Sequence, residues 1–185
     1  MQRGSSRLLR APAVLLTGHP SAGKSTLATR TAAALSERCV ASEVLDGDDL
    51  RTRLPPPLGF SRADRSRQFA RALFLAELLA SHRVVPILAL VAPFAVDREI
   101  GRRLFATPGW LEVFLDPPLQ TCIDRDSRGL YGRLAARGGR AAIEAEVFDV
   151  YEPPGTPALR LDTSRLDVEE AMAAVLGALE PLLSS

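Results

Sequence analysis

The 185-residue sequence predicts an α/β fold: a parallel sheet of about five strands, helices on both faces and a mobile lid. Three observations predict it. Short apolar runs alternate with stretches of helical periodicity, the pattern of parallel strands joined by right-handed crossovers. The first run ends in Gly18-His19-Pro20-Ser21-Ala22-Gly23-Lys24-Ser25, which matches G-x-x-x-x-G-K-S/T in full. Lys24 is the only lysine; the remaining 22 basic side chains are arginines.

Ala13 to Thr17 reads as a buried strand feeding that loop. From Gly23 the pattern turns helical to about Arg38, with Leu27, Thr31, Ala34 and Leu35 near one face. Glu43 to Leu45 is a second short strand, and its end carries Asp46-Gly47-Asp48-Asp49. A brief helix follows. Pro55-Pro56-Pro57 stops it, because three prolines cannot continue a helical ladder. Ser61 and Asp64 form a capping-box pattern before a long helix that runs to about His82, with Phe69, Leu73, Ala76 and Leu79 at helical spacing. Val84 to Val91 is a continuous apolar run, as in a strand covered on both faces, and Pro93 ends it. Val96 to Phe105 reads as helix and Trp110 to Leu115 as strand. Pro117, in a first helical turn, opens a helix through Cys122 toward Arg125. Arg125 to Arg140 is rich in arginine and glycine and reads as a mobile segment outside the core. Pro153 to Pro157 forms an irregular loop, and Ala158 to Leu161 is the last strand. Asp167 with Glu170 caps a final helix with Val168, Met172, Val175, Leu176 and Leu179 on one face.

No repeat or linker divides the chain. The expected organisation is a flexible leader at 1–12 and one domain at 13–182, with the lid at about 125–150. Hydrophobic residues are 46% and charged residues 24%, enough for a packed core. A net charge of +1 argues against a general polyanion-binding surface, so no nucleic-acid partner is expected. No apolar run reaches bilayer length, and the basic start lacks a signal-like apolar stretch, so no membrane partner is expected either. Cys39 and Cys122 lack C-x-x-C spacing. They read as free thiols in a reducing cytosol, in preference to a disulfide or metal site, which makes a cytoplasmic protein the expectation.

The Gly18 loop suits a nucleoside triphosphate. Main-chain N–H groups of Ser21, Ala22, Gly23, Lys24, Ser25 and Thr26 can surround phosphate oxygens at a helix N-terminus. A compact ammonium reaches the β- and γ-phosphates where a forked guanidinium would not. The Ser25 hydroxyl can ligate Mg²⁺. His19 reads as solvent-facing, with a contact to phosphate as the alternative. Asp46 and Asp48 stand one βα unit later, at a strand end facing the loop. Phosphoryl transfer to an alcohol needs a group that takes the hydroxyl proton and support for Mg²⁺. Asp48 is assigned as the base and Asp46 as the Mg²⁺ partner. Alone, such a turn fits a helix cap equally well; its position favours the site. The loop, the aspartate turn and the Ala92-Pro93 turn all fall at strand carboxyl ends, where open parallel sheets bind ligands. Any single arginine of the lid is first a solvated side chain, although a closing lid can bring guanidinium groups to developing charge.

Several segments resemble the adenylyl-sulfate (APS) kinase family. They are the phosphate loop, Leu45-Asp46-Gly47-Asp48-Asp49-Leu50-Arg51, Leu58-Gly59-Phe60-Ser61-Arg62-Ala63-Asp64-Arg65, Ala92-Pro93-Phe94, Arg125-Asp126-Ser127-Arg128-Gly129-Leu130-Tyr131, Tyr151-Glu152-Pro153 and Leu161-Asp162-Thr163. The resemblance implies a P-loop NTPase-type sheet, ATP with Mg²⁺, and transfer to the 3′-hydroxyl of adenylyl sulfate. It implies that Phe60 stacks on the acceptor's adenine, that Arg51 and Arg65 hold its phosphosulfate, and that Arg125 and Thr163 contact the adenine end of ATP. It also places Gln68 and Arg128 against substrate and a homodimer among the expected partners. A core role is the alternative for Phe60.

The sequence departs from the family in places. Ala92 stands for a serine, Ala95 for an arginine, Gln68 for an asparagine, Ala70 for an arginine and Arg128 for a lysine. Glu144-Ala145-Glu146 replaces Phe-Thr-Gly, whose aromatic ring faces the Phe60 position in relatives. Losing one side of an aromatic sandwich removes about 1–3 kcal/mol of binding. Two carboxylates facing a dianionic acceptor would disfavour it further. Two alternatives therefore stand beside the APS kinase reading: a kinase for another nucleoside-like or specialised-metabolite hydroxyl, and a nucleotide-binding module with little catalysis.

Overall fold

The computed structural model describes residues 10–126, 128–148 and 150–184. Residues 1–9 of the expected leader, with Ser127 and Asp149 of the expected lid, lie outside them. Ala11 and Pro12, expected in the leader, are buried, and the Ala11 N–H donates to the Ala80 carbonyl at 3.0 Å.

Five strands form one parallel sheet in the order β2-β3-β1-β4-β5: β1 (Ala13–Gly18), β2 (Ser42–Asp46), β3 (Val85–Ala89), β4 (Trp110–Leu115) and β5 (Leu159–Leu161). All six residues of β1 are buried, because this strand lies between β3 and β4 and helices cover both faces. That explains an apolar run without alternation. From β1 the chain moves outward to β2, then returns to β3 and onward to β4. Right-handed crossovers therefore set α1 (Lys24–Glu37) on one face, and α3 (Arg62–Ser81) and α4 (Ala95–Leu104) on the other. α1 packs against α7 (Val168–Leu183), and α3 packs against β3 and α4. The helices leaving β1 and β3 diverge to opposite faces, which opens a crevice at the carboxyl ends of these two strands.

The ends of the helices follow local chemistry. Asp46 caps α2 (Gly47–Arg53) by accepting from the Asp48 N–H at 2.9 Å. The Ser61 hydroxyl accepts from the Asp64 N–H and donates to the Asp64 carboxylate at 2.8 Å. Both arms of the Asp167–Glu170 capping box are present. The buried face of α7 is Ala171, Val175, Leu176 and Leu179, with Val168 and Met172 at its edge. Helix α5 (Leu119–Asp124) has Pro118 as its N-cap, so Pro117 precedes the helix instead of opening its first turn.

The arginine- and glycine-rich segment corrects the sequence reading. It contains helix α6 (Leu130–Ile143), which buries Tyr131, Leu134 and Ile143 in the core. Arginines on the other face of α6 hid this narrow apolar stripe. Gly138 and Gly139 interrupt the helix with non-helical angles, and Gly139 lies at φ 64, ψ −154. A short π-helical segment, Glu144–Phe148, follows. Among the described residues, no helix is long and apolar enough to cross a membrane. Cys39 is exposed and Cys122 buried; both are free thiols.

Candidate active site

β1 ends at Gly18 with φ 142, where a Cβ would fall 2.4 Å from the Leu115 carbonyl oxygen of β4. Only glycine lets the loop leave the sheet there. Gly23, at φ 97, is the N-cap of α1. Lys24 opens the helix and is buried, and its Nζ donates to the Gly18 and His19 carbonyls at 3.0 and 2.7 Å. Burial pushes its pKa down to about 8. An ammonium held by main-chain carbonyls in a buried loop is a ready counter-charge for phosphate. His19 corrects the solvent-facing expectation. It is buried against Tyr151, with ring centroids 4.8 Å apart, and burial followed by the Lys24 charge pushes its pKa down to about 4.

The Asp46 carboxylate joins loop and sheet. One oxygen caps Asp48; the other accepts from the Ser25 hydroxyl at 2.5 Å. Two hard oxygen donors thus meet at the mouth of the loop, the donor type Mg²⁺ prefers. Asp48, two residues on, is exposed and pairs with the Arg128 guanidinium from the segment before α6. Arg128 also contributes to the charge around Lys24, so the phosphate loop and Asp48 share one neighbourhood.

Beyond them opens a cavity of about 500 Å³, lined by Phe60, Arg62, Arg65 and Phe94 on one part and by Ala145, Glu146, Val150 and Glu152 on another. Phe60 is 68% exposed, which excludes the core reading. The Arg51 guanidinium lies 4.5 Å from its ring centroid and that of Arg65 5.6 Å. Arg51 also donates to the Leu58 and Gly59 carbonyls, and Arg65 to the Phe60 carbonyl, so the two arginines hold the loop that presents the ring. Burial lowers the pKa of both, and the Arg51 charge adds to the effect at Arg65. Gln68 is buried beneath Gly47, with a long 3.5 Å contact to that carbonyl, and does not line the cavity.

Sequence reasoning assigned no role to Arg62, Glu152 or Arg98. Arg62 stacks on Phe94, 4.1 Å from the ring centroid, and pairs with Glu152 at 3.7 Å. Glu152 also accepts from the Ala95 N–H at 2.7 Å. The buried Arg98 donates to Glu112 at 3.0 Å, to the Ala92 carbonyl at 2.7 Å and to the Glu152 carbonyl at 2.6 Å. Arg62 and Glu152 lie inside the Leu58–Arg65 and Tyr151–Pro153 segments, and Arg98 follows Ala92-Pro93-Phe94 closely in sequence. The carboxylates of the Glu144–Phe148 segment are paired: Glu144 with Arg140, and Glu146 with Arg137.

A second cavity, about 350 Å³, adjoins the start of α1 and is lined by Gly23, Thr26, Arg125, Thr163 and the first turn of α7. Arg125 donates to the Thr163 hydroxyl and carbonyl at 3.0 and 2.7 Å, and Thr163 donates to the Ala22 carbonyl at 3.0 Å. A planar guanidinium is thereby fixed beside the loop, in a place suited to a base. Tyr131, on α6, donates to the Pro20 carbonyl at 2.9 Å and braces the loop from that helix.

The adenylylsulphate kinase family model matches residues 10–162. An adenylyl-sulfate kinase of Pseudomonas aeruginosa is 38% identical over 170 residues, covering 91% of this chain and 86% of the relative. One of Chloroflexus aurantiacus is 40% identical over 169 residues, covering 91% and 89%. The APS kinase of Mycobacterium tuberculosis, solved with AMPPNP and APS, superposes with a TM-score of 0.82 at 34% identity, over 92% of this chain and 98% of that one. A hexameric APS kinase from Thiobacillus denitrificans gives 0.69 at 31% identity, with this chain covering 30% of its length. The glycine loop, the aspartate turn and the Phe60 cavity thus lie in a chain that belongs to the adenylylsulphate kinase family.

Proposed function

We propose that the protein transfers the γ-phosphoryl group of ATP to the 3′-hydroxyl of adenylyl sulfate, giving 3′-phosphoadenylyl sulfate. The observation that carries this reading is the placement of Phe60. An exposed aromatic ring, backed by Arg51 and Arg65, lines a cavity on the rim that also holds Lys24 and Asp48. An aromatic face binds a base, and adjacent guanidinium groups suit a phosphosulfate.

In this reading Gly18 and Ser21 to Thr26 cradle the triphosphate, and Lys24 neutralises charge between its β- and γ-phosphates. Arg125 and Thr163 seat its adenine. Ser25 and Asp46 hold Mg²⁺, which, when bound, offsets phosphate charge. Asp48 accepts the 3′-hydroxyl proton, and Arg128 orients that carboxylate and faces the phosphates. Gln68 supports the loop at Gly47 in place of a direct acceptor contact. Residues 11–182 form one domain, with 125–150 as the lid, in a cytoplasmic enzyme. The exposed pairs Phe74 with Leu78 and Val96 with Ile100, on α3 and α4, support a homodimer, which size-exclusion chromatography with light scattering tests.

The test of function is release of ADP and formation of 3′-phosphoadenylyl sulfate from adenylyl sulfate, run beside a panel of other alcohols. Turnover confined to another alcohol, or tight ATP binding with no turnover on any acceptor, overturns the reading.

A further inference from the structure

We propose that Glu146 reads the edge of the acceptor base: its carboxylate accepts a hydrogen bond from the exocyclic amino group of a 6-aminopurine and disfavours a 6-oxopurine. This rests on the acceptor site proposed above.

Glu146 lines the cavity that holds Phe60, with Ala145 and Val150 beside it. Neither neighbour has a polar side chain. Glu152, the other carboxylate lining this cavity among the described residues, is engaged by the Ala95 N–H and by Arg62. Arg137 donates through one nitrogen to both Glu146 oxygens, at 2.8 and 2.9 Å. That contact sets the direction of the carboxylate across the break at Gly138 and Gly139. An ionised carboxylate has about four acceptor positions, so each oxygen retains one. The group is an acceptor and never a donor. Stacking on Phe60 does not distinguish purines, since every base has a π-face. Their edges differ. A 6-amino group offers N–H to Glu146. A 6-oxo group sets an oxygen lone pair against the carboxylate oxygen that a 6-amino group would have bonded. Glu146, two residues after the Glu144 that replaces an aromatic lid partner, thus adds selectivity where stacking is lost.

The test compares kcat/KM for adenylyl sulfate and for inosine 5′-phosphosulfate at saturating ATP, in the wild-type enzyme, Glu146→Gln and Glu146→Ala. The wild type is expected to favour the adenylyl acceptor by about tenfold or more. Glu146→Gln, whose amide can donate or accept, is expected to narrow that ratio at least about fivefold, with KM for ATP unchanged. Glu146→Ala should lower kcat/KM for adenylyl sulfate and also narrow the ratio. An unchanged ratio in both variants, with normal turnover of adenylyl sulfate, overturns the role of Glu146 alone. A wild-type enzyme that turns over neither acceptor overturns the acceptor reading and this inference with it.

Discussion

The Arg128 guanidinium pairs with the Asp48 carboxylate, joining the segment before α6 to the first turn of α2. Both side chains remain more than half exposed. Screening by solvent therefore makes the pair a weak stabiliser, and its meaning is positional. Asp48→Asn should slow phosphotransfer by about 10²–10⁴-fold, the range of a lost general base, with ATP affinity retained. Arg128→Ala should raise KM for the acceptor more than it lowers kcat. Steady-state kinetics beside ATP calorimetry check both; a fully active Asp48→Asn enzyme removes Asp48 as the base.

Lys24 makes a pH prediction. Its folded pKa is about 8, lowered from 10.5 chiefly by burial. Between these values the unfolded chain binds more protons than the free folded one. Stability of the free protein should therefore rise with pH across that window, and the full cost of the buried charge should be present below it. Triphosphate reverses the balance by favouring the ammonium. ATP binding should take up a fraction of a proton near pH 8 to 9 and weaken as pH rises further. Calorimetry in buffers of different ionisation enthalpy reads that uptake directly. Lys24→Ala should abolish phosphotransfer and the proton uptake together.

The strands, the phosphate loop and the aspartate turn were legible because each rests on local chemistry: apolar runs, a glycine at positive φ, a carboxylate at a helix cap. Phe60 stood out through its motif, and its exposure sets aside the core alternative. Helix α6 was not legible, since three buried side chains among arginines and glycines give a weak periodic signal. Nor was Arg98, whose partners lie in three different segments. The burial of His19 likewise depends on Tyr151, over a hundred residues away in sequence.

Gly139 should be intolerant of any side chain. Nothing lies within 4 Å of the Cβ it would gain, so crowding is not the reason. At φ 64, ψ −154 the backbone itself excludes other residues, at a cost of about 1–3 kcal/mol. Gly139→Ala should relieve that strain by re-forming the helix and misdirecting Glu144–Phe148. The expected result is a lower kcat/KM for the acceptor with ATP affinity unchanged. Equal loss for both substrates argues instead for general unfolding.

Arg98 offers the clearest separation of stability from chemistry. It is 2% exposed, as is Glu112, and its three contacts tie β4, the Ala92 turn and the Tyr151-Glu152 segment together. Removing one partner of a buried ion pair costs about 3–5 kcal/mol, because the other charge remains without compensation. Here Arg102 still reaches Glu112, at 2.6 Å, so Arg98→Met should lie toward the lower end of that range. Arg98→Met with Glu112→Leu should recover part of the loss, since no buried carboxylate is then left with Arg102 alone. The double variant still lacks the donors to the Ala92 and Glu152 carbonyls. Its KM for the acceptor should therefore remain raised after stability returns. Urea denaturation and acceptor kinetics on the single and double variants measure the two effects apart. If KM recovers along with stability, Arg98 only supports the fold and does not position the acceptor cavity.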